Sequence, residues 1–568
     1  MVKALCVFCI FFMGVLFCNA QSTLNNYFSN KKEIYFSFEI NNKTEINDFS
    51  KTLSIEKIIA NQVFAYANKS QFELFLSKNI SFDVIESKSN YDIKISKSLK
   101  ELCEWNSYPT YEQYISLMSQ FVAEFPSICS LHEIGESING RKIIAVKISD
   151  NVDQKEAEPE FFYSSSIHGN EPIGYVLSLR LIDYLLHNYT NSDISNLVNN
   201  IEIWINPLAN PDGMYAAGNH TVAEGTRNNA NGVDLNRNYP DPEDGIHPDG
   251  YDWQTENIAM MNFMKYHNFV LSANIHSGVE TVNYPWDTWA KYHADNTWYQ
   301  YISRMYADTA QAYGMADYFT DFNNGITNGY EWYTISGGRQ DYVNYFLHGR
   351  EVTLEISSVH LPDSMLLPNY WNYNYKSLLN YIEQSLYGIS GVVTDSVTGT
   401  PLKAKIEVLS HDVDSSEIYS ETINGNYHRL ISAGNYSLRI SAPKHKSKII
   451  ENISVENKQT TFLNVELAND DSYFSTQNRN RFEIKALNNP TKQNVIVFSI
   501  ISSETTTYSY EIYSTNGRKI STVDNLHLEN GDNLLEINIK NFDKGLYIFQ
   551  FYVADLMFEK KIIKIENN

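Results

Sequence analysis

Between Tyr108 and Tyr387, short apolar runs with strand character alternate with longer amphipathic stretches, and this alternation restricts the middle of the chain to an α/β architecture. The strand-like runs are RKIIAVKIS, PEFFYSSSI, IEIWINPLA, VLSANI and EVTLEIS. Between them lie helical stretches such as YEQYISLMSQFVAEF, stopped by Pro126, and IGYVLSLRLIDYLLHNY. Apolar strands separated by helices predict a sheet covered on both faces.

The pattern breaks at both ends. With 568 residues the chain is too long for one core, so further units are expected. Residues 1–20 read as a targeting peptide: Lys3, the apolar stretch Ala4 to Phe17, then Cys18-Asn19-Ala20 as a small-x-small cleavage site. Lipid anchoring at Cys18 is the alternative, which the bulky Phe17 before it disfavours. Residues 21–98 mix short strands and helices in a small α+β unit, and the central domain is expected over 99–387. From Gly388 the pattern becomes all-β and predicts a small β-sandwich over 388–468. A polar, Asn-rich linker (469–485) leads to a last all-β stretch, 486–568. There Asn516-Gly517, between alternating apolar residues, signals a hairpin.

Composition then excludes several classes. The net charge of −23 opposes a chain built to neutralise phosphates, so no nucleic acid partner is expected. With 43% hydrophobic and 20% charged residues the chain can build cores, which argues against long disorder. After the first twenty residues no apolar run approaches the ~18 residues of a membrane span. Cys103 and Cys129 alone remain after that peptide, and one disulfide or two buried thiols are both open.

The chemistry concentrates between His168 and Glu355. His168-Gly169-Asn170-Glu171 follows the strand FFYSSSI, at the carboxyl end of a strand, where open α/β sheets place their sites. A lone HxxE describes most surface histidines near a glutamate. A second strand, however, ends in His276, and two histidines with one glutamate make the three-ligand set of a catalytic zinc site.

Six ordered motifs carry a resemblance: HGNE, NPDGMY (Asn210 to Tyr215), RNNANGVDLNRNYP (Arg227 to Pro240), NIHSG, NGYEWYTISGGRQD (Asn328 to Asp341) and VTLEIS (Val352 to Ser357). Over Tyr108 to Tyr387 the chain resembles the pancreatic and regulatory zinc metallocarboxypeptidases. The resemblance implies a mixed-sheet αβα catalytic domain. It also implies one Zn2+ held by His168, Glu171 and His276, a ligand set established for that family. Glu355 is the implied general base, Arg227 the donor to the developing oxyanion, and Arg237 with Asn236 and Tyr333 the clamp for a terminal carboxylate. Asp287 and Gln340 are the implied pocket residues and point to release of C-terminal Lys or Arg. Against this, Arg339 of GGRQD would repel a basic side chain if it turned inward.

The flanks resemble known parts as well. Residues 21–98 match a family prosegment in position and size, with a permanent accessory domain as the alternative. Residues 388–468 resemble the transthyretin-like, regulatory-type domain that follows the catalytic domain in one branch. The last stretch, with Ala486 to Pro490, YEIYSTNGRKI and Lys544 to Phe549, resembles the sorting domain of type IX secretion in Bacteroidetes-like bacteria. That implies export through periplasm and outer membrane, with the export machinery and peptide C-termini as partners. Deacylases and peptidoglycan amidases share HGNE-type ligands, but Asn236, Arg237 and Tyr333 favour a terminal-carboxylate substrate. A dead binding module is opposed by the intact ligands and base.

Overall fold

In the computed structural model, residues 27–29, 31–42, 44–85, 93–470, 482–515, 518–553 and 556–565 are described. The targeting peptide, most of the linker and the Asn516-Gly517 turn lie outside these residues. Two compact units result, one spanning Met1–Ala442 and Ser447–Leu467, the other Pro443–Lys446 and Ala468–Asn568.

The first unit begins with a four-stranded sheet of order β2-β3-β1-β4, from β1 (Glu33–Glu39), β2 (Ser54–Ile59), β3 (Gln62–Asn68) and β4 (Phe82–Val84). Helices Thr44–Ser50 and Lys69–Ser77 pack on it, the latter opened by a capping box between Asn68 and Gln71. Alternating aromatics make its core: Phe36 and Phe38 project from one face of β1 onto Phe75, with ring centroids 4.8 and 4.9 Å away. That core is shared, because Tyr333 and Ile335, far along the chain, complete it.

The central sheet has eight strands in the order β11-β10-β12-β9-β7-β8-β6-β5. These are β5 (Cys129–Glu136), β6 (Lys142–Ile148), β7 (Glu160–Ser165), β8 (Glu202–Asn206), β9 (Phe269–His276), β10 (Glu280–Tyr284), β11 (Ile326–Asn328) and β12 (Glu351–Ile356). The inner strands β8, β7, β9 and β12 run parallel, β5 and β6 pair antiparallel to their neighbours, and β10 pairs antiparallel to β12 but parallel to β11. Every residue of β7, β8, β9 and β12 is buried, as a sheet covered on both faces requires. Helices Tyr111–Glu124, Ile173–His187, Asn296–Tyr313 and Leu367–Glu383 contribute to the main core. Thr255–Tyr266 and Arg339–Phe346 line a second core with Phe162, Trp204 and Phe269.

All five strands read from the sequence are present. Strands β5, β10 and β11 were not read: β10 (ETVNY) and β11 (ITN) are short and polar, and pairing with a formed sheet makes them strands. Cys103 and Cys129 are both free thiols, Cys103 exposed and Cys129 buried, so the disulfide alternative fails.

A β-sandwich closes this unit. One sheet is built on Gly388–Asp395 with Asn426–Arg429 and Thr460–Phe462, the other on Lys405–Val408, Ile418–Tyr419, Gly434–Ser441 and Lys448–Val455. It is fastened to the central domain by a buried charge cluster. Asp295 accepts from Arg350 Nε at 2.9 Å, from Arg429 Nη1 and Nη2 at 2.9 Å each, and lies 2.8 Å from His411 Nε2.

The second unit stacks a three-stranded and a four-stranded sheet around its own core, which includes Phe498, Phe549 and Phe551. Its first strand starts at Phe482, inside the stretch read as linker. Strands Thr506–Ser514 and Lys519–Leu528 pair antiparallel around the predicted hairpin.

Candidate active site

The loop after β7 carries His168 and Glu171, and β9 ends on His276. Glu355 on β12 pairs in parallel register with His276, so sheet geometry sets the two residues side by side. The loop fits only because residue 169 is glycine: a Cβ there would lie 2.0 Å from the Gly213 carbonyl carbon. One ligand atom from each of His168, Glu171 and His276 lies within 4.8 Å of the others, and all three side chains are buried.

Both histidines turn Nδ1 inward. His168 Nδ1 is 2.8 Å from Glu171 Oε1 and 3.2 Å from His276 Nδ1, while His276 Nδ1 is 3.1 Å from Glu171 Oε2. Their Nε2 atoms are held from outside, His168 by Asp234 Oδ1 at 3.1 Å and His276 by the Asn274 side-chain amide at 2.8 Å. Such partners fix ring orientation at metal sites. Burial alone would raise the Glu171 carboxyl, but His168 and His276 hold it well below the usual range. Burial lowers His276 to about 4, favouring the neutral imidazole that ligates metals.

Glu355 is pushed well above the carboxylate range by burial and then by Glu171, with Arg227 opposing. Its Oε2 is buried with no hydrogen-bond partner. An orphaned carboxylate oxygen beside a His2Glu donor set is the arrangement a divalent cation would satisfy, and the residues therefore fit zinc.

The loop after β8 supplies the cations. Arg227 donates from Nε to Asp234 Oδ2 at 3.2 Å, and its Nη1 is 3.5 Å from Glu171 Oε1. Asn236 Oδ1 accepts from the Arg339 backbone N–H at 2.9 Å, which turns its amide NH2 the other way. Arg237 Nη1 donates to the Asn236 carbonyl at 2.8 Å, and its buried Nε has no partner. Tyr333 follows the short helix Gly329–Trp332.

Asp287 is buried in the same cleft, where its Oδ1 accepts from Asn283 Nδ2 at 2.9 Å and from Gln340 Nε2 at 3.1 Å. A Cβ at Gly329 would stand 1.7 Å from that oxygen. Burial pushes the Asp287 carboxyl up to about 7, Asn283 and Arg237 opposing. Arg339 does not enter this cleft. It is fully buried on the far side, its Nη2 donating to Glu351 Oε2 at 2.8 Å with the guanidinium over the Phe162 ring. The feared repulsion is thus absent, because Glu351 absorbs the charge.

The cleft is also occupied by residues of the N-terminal unit. Arg227 Nε donates to Ser54 Oγ at 2.5 Å, Ser54 Oγ bonds to Asp234, and the Ile55 carbonyl accepts from Tyr333 Oη at 3.1 Å and Arg237 Nη2 at 3.4 Å. Glu33 caps the backbone N–H groups of Arg227 and Asn228 at 2.8 and 3.1 Å. Sequence reading missed these contacts, and also Asp234, Asn274 and Asn283 as supports. Asn274 was legible in principle, since residues two apart on a strand share a face with His276. The contacts of 33–56 leave no local pattern.

Residues 114–377 match the family model described as zinc carboxypeptidase, and residues 488–566 the model of a secretion system C-terminal sorting domain. Human carboxypeptidase D is 35% identical over 369 residues, covering 62% of this chain, and the chain spans 26% of that relative's length. Carboxypeptidase E of Caenorhabditis elegans is 30% identical over 63% of this chain and 85% of its own, and mouse carboxypeptidase M 32% identical over 62% and 82%. The crystal structure of carboxypeptidase A from Helicoverpa armigera superposes with a TM-score of 0.47 at 18% identity, covering 61% of this chain and 96% of its own.

Proposed function

Because this chain belongs to the zinc carboxypeptidase family, we propose that it hydrolyses the last peptide bond of peptides and proteins outside the cell, preferring C-terminal Lys or Arg. The observation that carries this reading is one cleft that brings together His168, Glu171, His276, Glu355, Arg237 and Asp287. A metal triad with a base suits many hydrolases, but a guanidinium and an acidic side pocket beside it suit a free, basic C-terminus.

His168, Glu171 and His276 would hold the zinc. Bound there, zinc supplies Lewis acidity and makes water acidic enough to react near neutral pH. The substrate carboxylate is gripped by Arg237 in a bidentate fork, with the Asn236 amide and the Tyr333 hydroxyl as further donors. Its basic side chain extends toward Asp287, which Asn283 and Gln340 hold in place. Glu355 takes a proton from the attacking water at its unpartnered Oε2. Oxygen adds to the scissile carbonyl carbon, and charge developing on the carbonyl oxygen is stabilised by the buried Arg227 guanidinium. As the C–N bond breaks, Glu355 returns the proton to the leaving amine.

Residues 21–98 act as a prosegment in this reading: Ser54 takes up Arg227, and the Ile55 carbonyl takes up the Arg237–Tyr333 clamp that a substrate needs. The sandwich braces the catalytic domain through Asp295. The C-terminal unit directs passage across the outer membrane by the type IX route. No helix among the described residues is long and apolar enough to cross a membrane.

The test combines zinc analysis with release of terminal residues from peptides ending in Arg, Phe and Glu, before and after removal of the N-terminal unit. One equivalent of zinc and fastest release of Arg are expected. Preference for Phe would overturn the basic specificity, and no release from any peptide would overturn the exopeptidase reading.

A further inference from the structure

The N-terminal unit meets the central domain with a tyrosine as well as with Ser54 and Ile55. Tyr66 on β3 pairs in register with Ser54 on β2, so the two side chains reach out from the same face of adjacent strands. The Tyr66 ring lies over the Arg227 guanidinium, with Cζ 5.8 Å from the ring centroid, and Tyr35 stacks on Tyr66 with ring centroids 4.4 Å apart. The Tyr66 hydroxyl accepts from Asn170 Nδ2 at 3.1 Å. It is the one hydrogen-bond partner of that amide among the described residues, since Asn170 Oδ1 is buried without any. Asn170 stands between His168 and Glu171, and Gly225 lets the loop of Arg227 close on it. A Cβ at Gly225 would stand 2.4 Å from the Gly169 carbonyl oxygen and 3.3 Å from Asn170 Cα.

The order of these contacts follows a peptide. The Ile55 carbonyl sits at Arg237 and Tyr333, the clamp for a terminal carboxylate, and Ser54 sits at Arg227, where the scissile carbonyl oxygen belongs. Tyr66 then spans Arg227 and Asn170. In a bound peptide the penultimate Cα is bonded to the scissile carbonyl carbon, so its side chain also starts beside Arg227. The guanidinium can serve both groups, because its N–H donors lie in the plane and its face takes an aromatic ring. Once the N-terminal unit leaves, the face loses a ring and Asn170 Nδ2 loses a hydroxyl. A tyrosyl side chain replaces both, a phenyl group only the first, and an aliphatic one neither.

We propose that Arg227 and Asn170 form a subsite for an aromatic penultimate residue of the substrate, tyrosine above phenylalanine, which Tyr66 fills in the intact chain. The proposal rests on the exopeptidase reading and adds the side chain preferred on the acyl side of the bond that is cleaved.

The test measures kcat/KM of the N-terminally processed protein on peptides of one length ending in Tyr-Arg, Phe-Arg, Leu-Arg and Ala-Arg. A ring on the guanidinium should favour Phe-Arg over Ala-Arg about fivefold, and the hydroxyl should favour Tyr-Arg over Phe-Arg about threefold. In Asn170→Ala, with zinc content and circular dichroism as checks of folding, the ratio of Tyr-Arg to Phe-Arg should fall to about one. Equal values for penultimate Tyr, Leu and Ala would overturn the proposal, and a Tyr-to-Phe ratio that survives Asn170→Ala would remove Asn170 from it. Calorimetric binding of the same peptides to the metal-free processed protein supplies a readout without turnover. If no peptide is hydrolysed but the Tyr-Arg peptide still binds more tightly than the Ala-Arg one, the subsite stands and the exopeptidase reading falls. If Arg is released from all four at one rate, the exopeptidase reading stands and the subsite falls.

Discussion

Asp234 Oδ1 lies 3.1 Å from His168 Nε2, and the other oxygen of the same carboxylate accepts from Arg227 Nε at 3.2 Å. One buried side chain thus holds both the histidine proposed as a metal ligand and the arginine assigned to the oxyanion. Burial opposes its ionisation, yet Arg227, His168 and Arg237 hold Asp234 well below the usual carboxylate range. Asp234→Asn keeps the shape and removes the charge. Metal affinity is expected to fall about 10–100-fold, the scale of losing a ligand's supporting partner. Competition with a chelator measures this, and unchanged affinity would show that His168 needs no such support.

Glu355→Gln tests the base separately from the metal. Glu355 is the nearest β12 neighbour of His276 but is not in the donor set, so zinc content should stay at the wild-type level. Turnover by the N-terminally processed protein should fall about 10²–10⁴-fold, the range of a lost general base, with KM little changed. Retained turnover would refute the mechanism.

The acidic pocket makes a prediction with a definite sign. Burial raises the Asp287 carboxyl to about 7, so its anionic form gains population as pH rises through that value. KM for a peptide ending in Arg should therefore fall across this window relative to KM for one ending in Leu. Asp287→Asn should abolish the difference. Parallel KM profiles in wild type would remove Asp287 from substrate recognition.

Docking of the N-terminal unit should respond oppositely to pH. Burial raises Glu33 from 4.5 to about 7, against the backbone N–H groups of Arg227 and Asn228 and the Arg227 charge. The docked state binds this proton more tightly than the undocked one, so docking is strongest below about 4.5 and weakens as pH rises through about 7. The ratio of hydrolysis rates of intact to processed protein, taken at each pH to cancel the pH dependence of catalysis, should rise across the window. Glu33→Gln should flatten it.

The residues of the central domain were legible because its chemistry sits at strand ends that sequence can locate. HGNE follows a buried strand, NIHSG ends one, and Glu355 lies within one, so motif order and apolar runs together locate the residues that the structure brings into one cleft. What escaped depends on distance in the chain. Ser54 and Ile55 reach Arg227 and Tyr333 across 173 and 278 residues, contacts that no local pattern announces. Arg339 shows a subtler limit. The motif located its backbone at the pocket, but the first residue of a helix can project to either side, and Glu351 on β12 decided which.

The buried cluster at Asp295 makes a stability prediction that also bears on catalysis. Arg350 precedes β12, the strand of Glu355, and Arg429 belongs to the sandwich, so one carboxylate joins the two. Burial opposes the ionised Asp295, but Arg429 and Arg350 hold it well below the usual range. Arg429→Met removes two donors from Asp295 and leaves Asp412 without its 2.6 Å partner. Breaking a buried pair on one side costs about 3–5 kcal/mol, because the remaining charge stays desolvated. A chemical denaturation midpoint should drop accordingly, and turnover should fall with it if Arg350 shifts β12. Adding Asp412→Asn should recover part of the lost stability, since the carboxylate left without its arginine is then neutral, whereas Asp295 keeps Arg350 and His411. A double variant no more stable than Arg429→Met alone would mean that the cost lies in lost packing, and the sandwich would then brace the catalytic strand by shape rather than by charge.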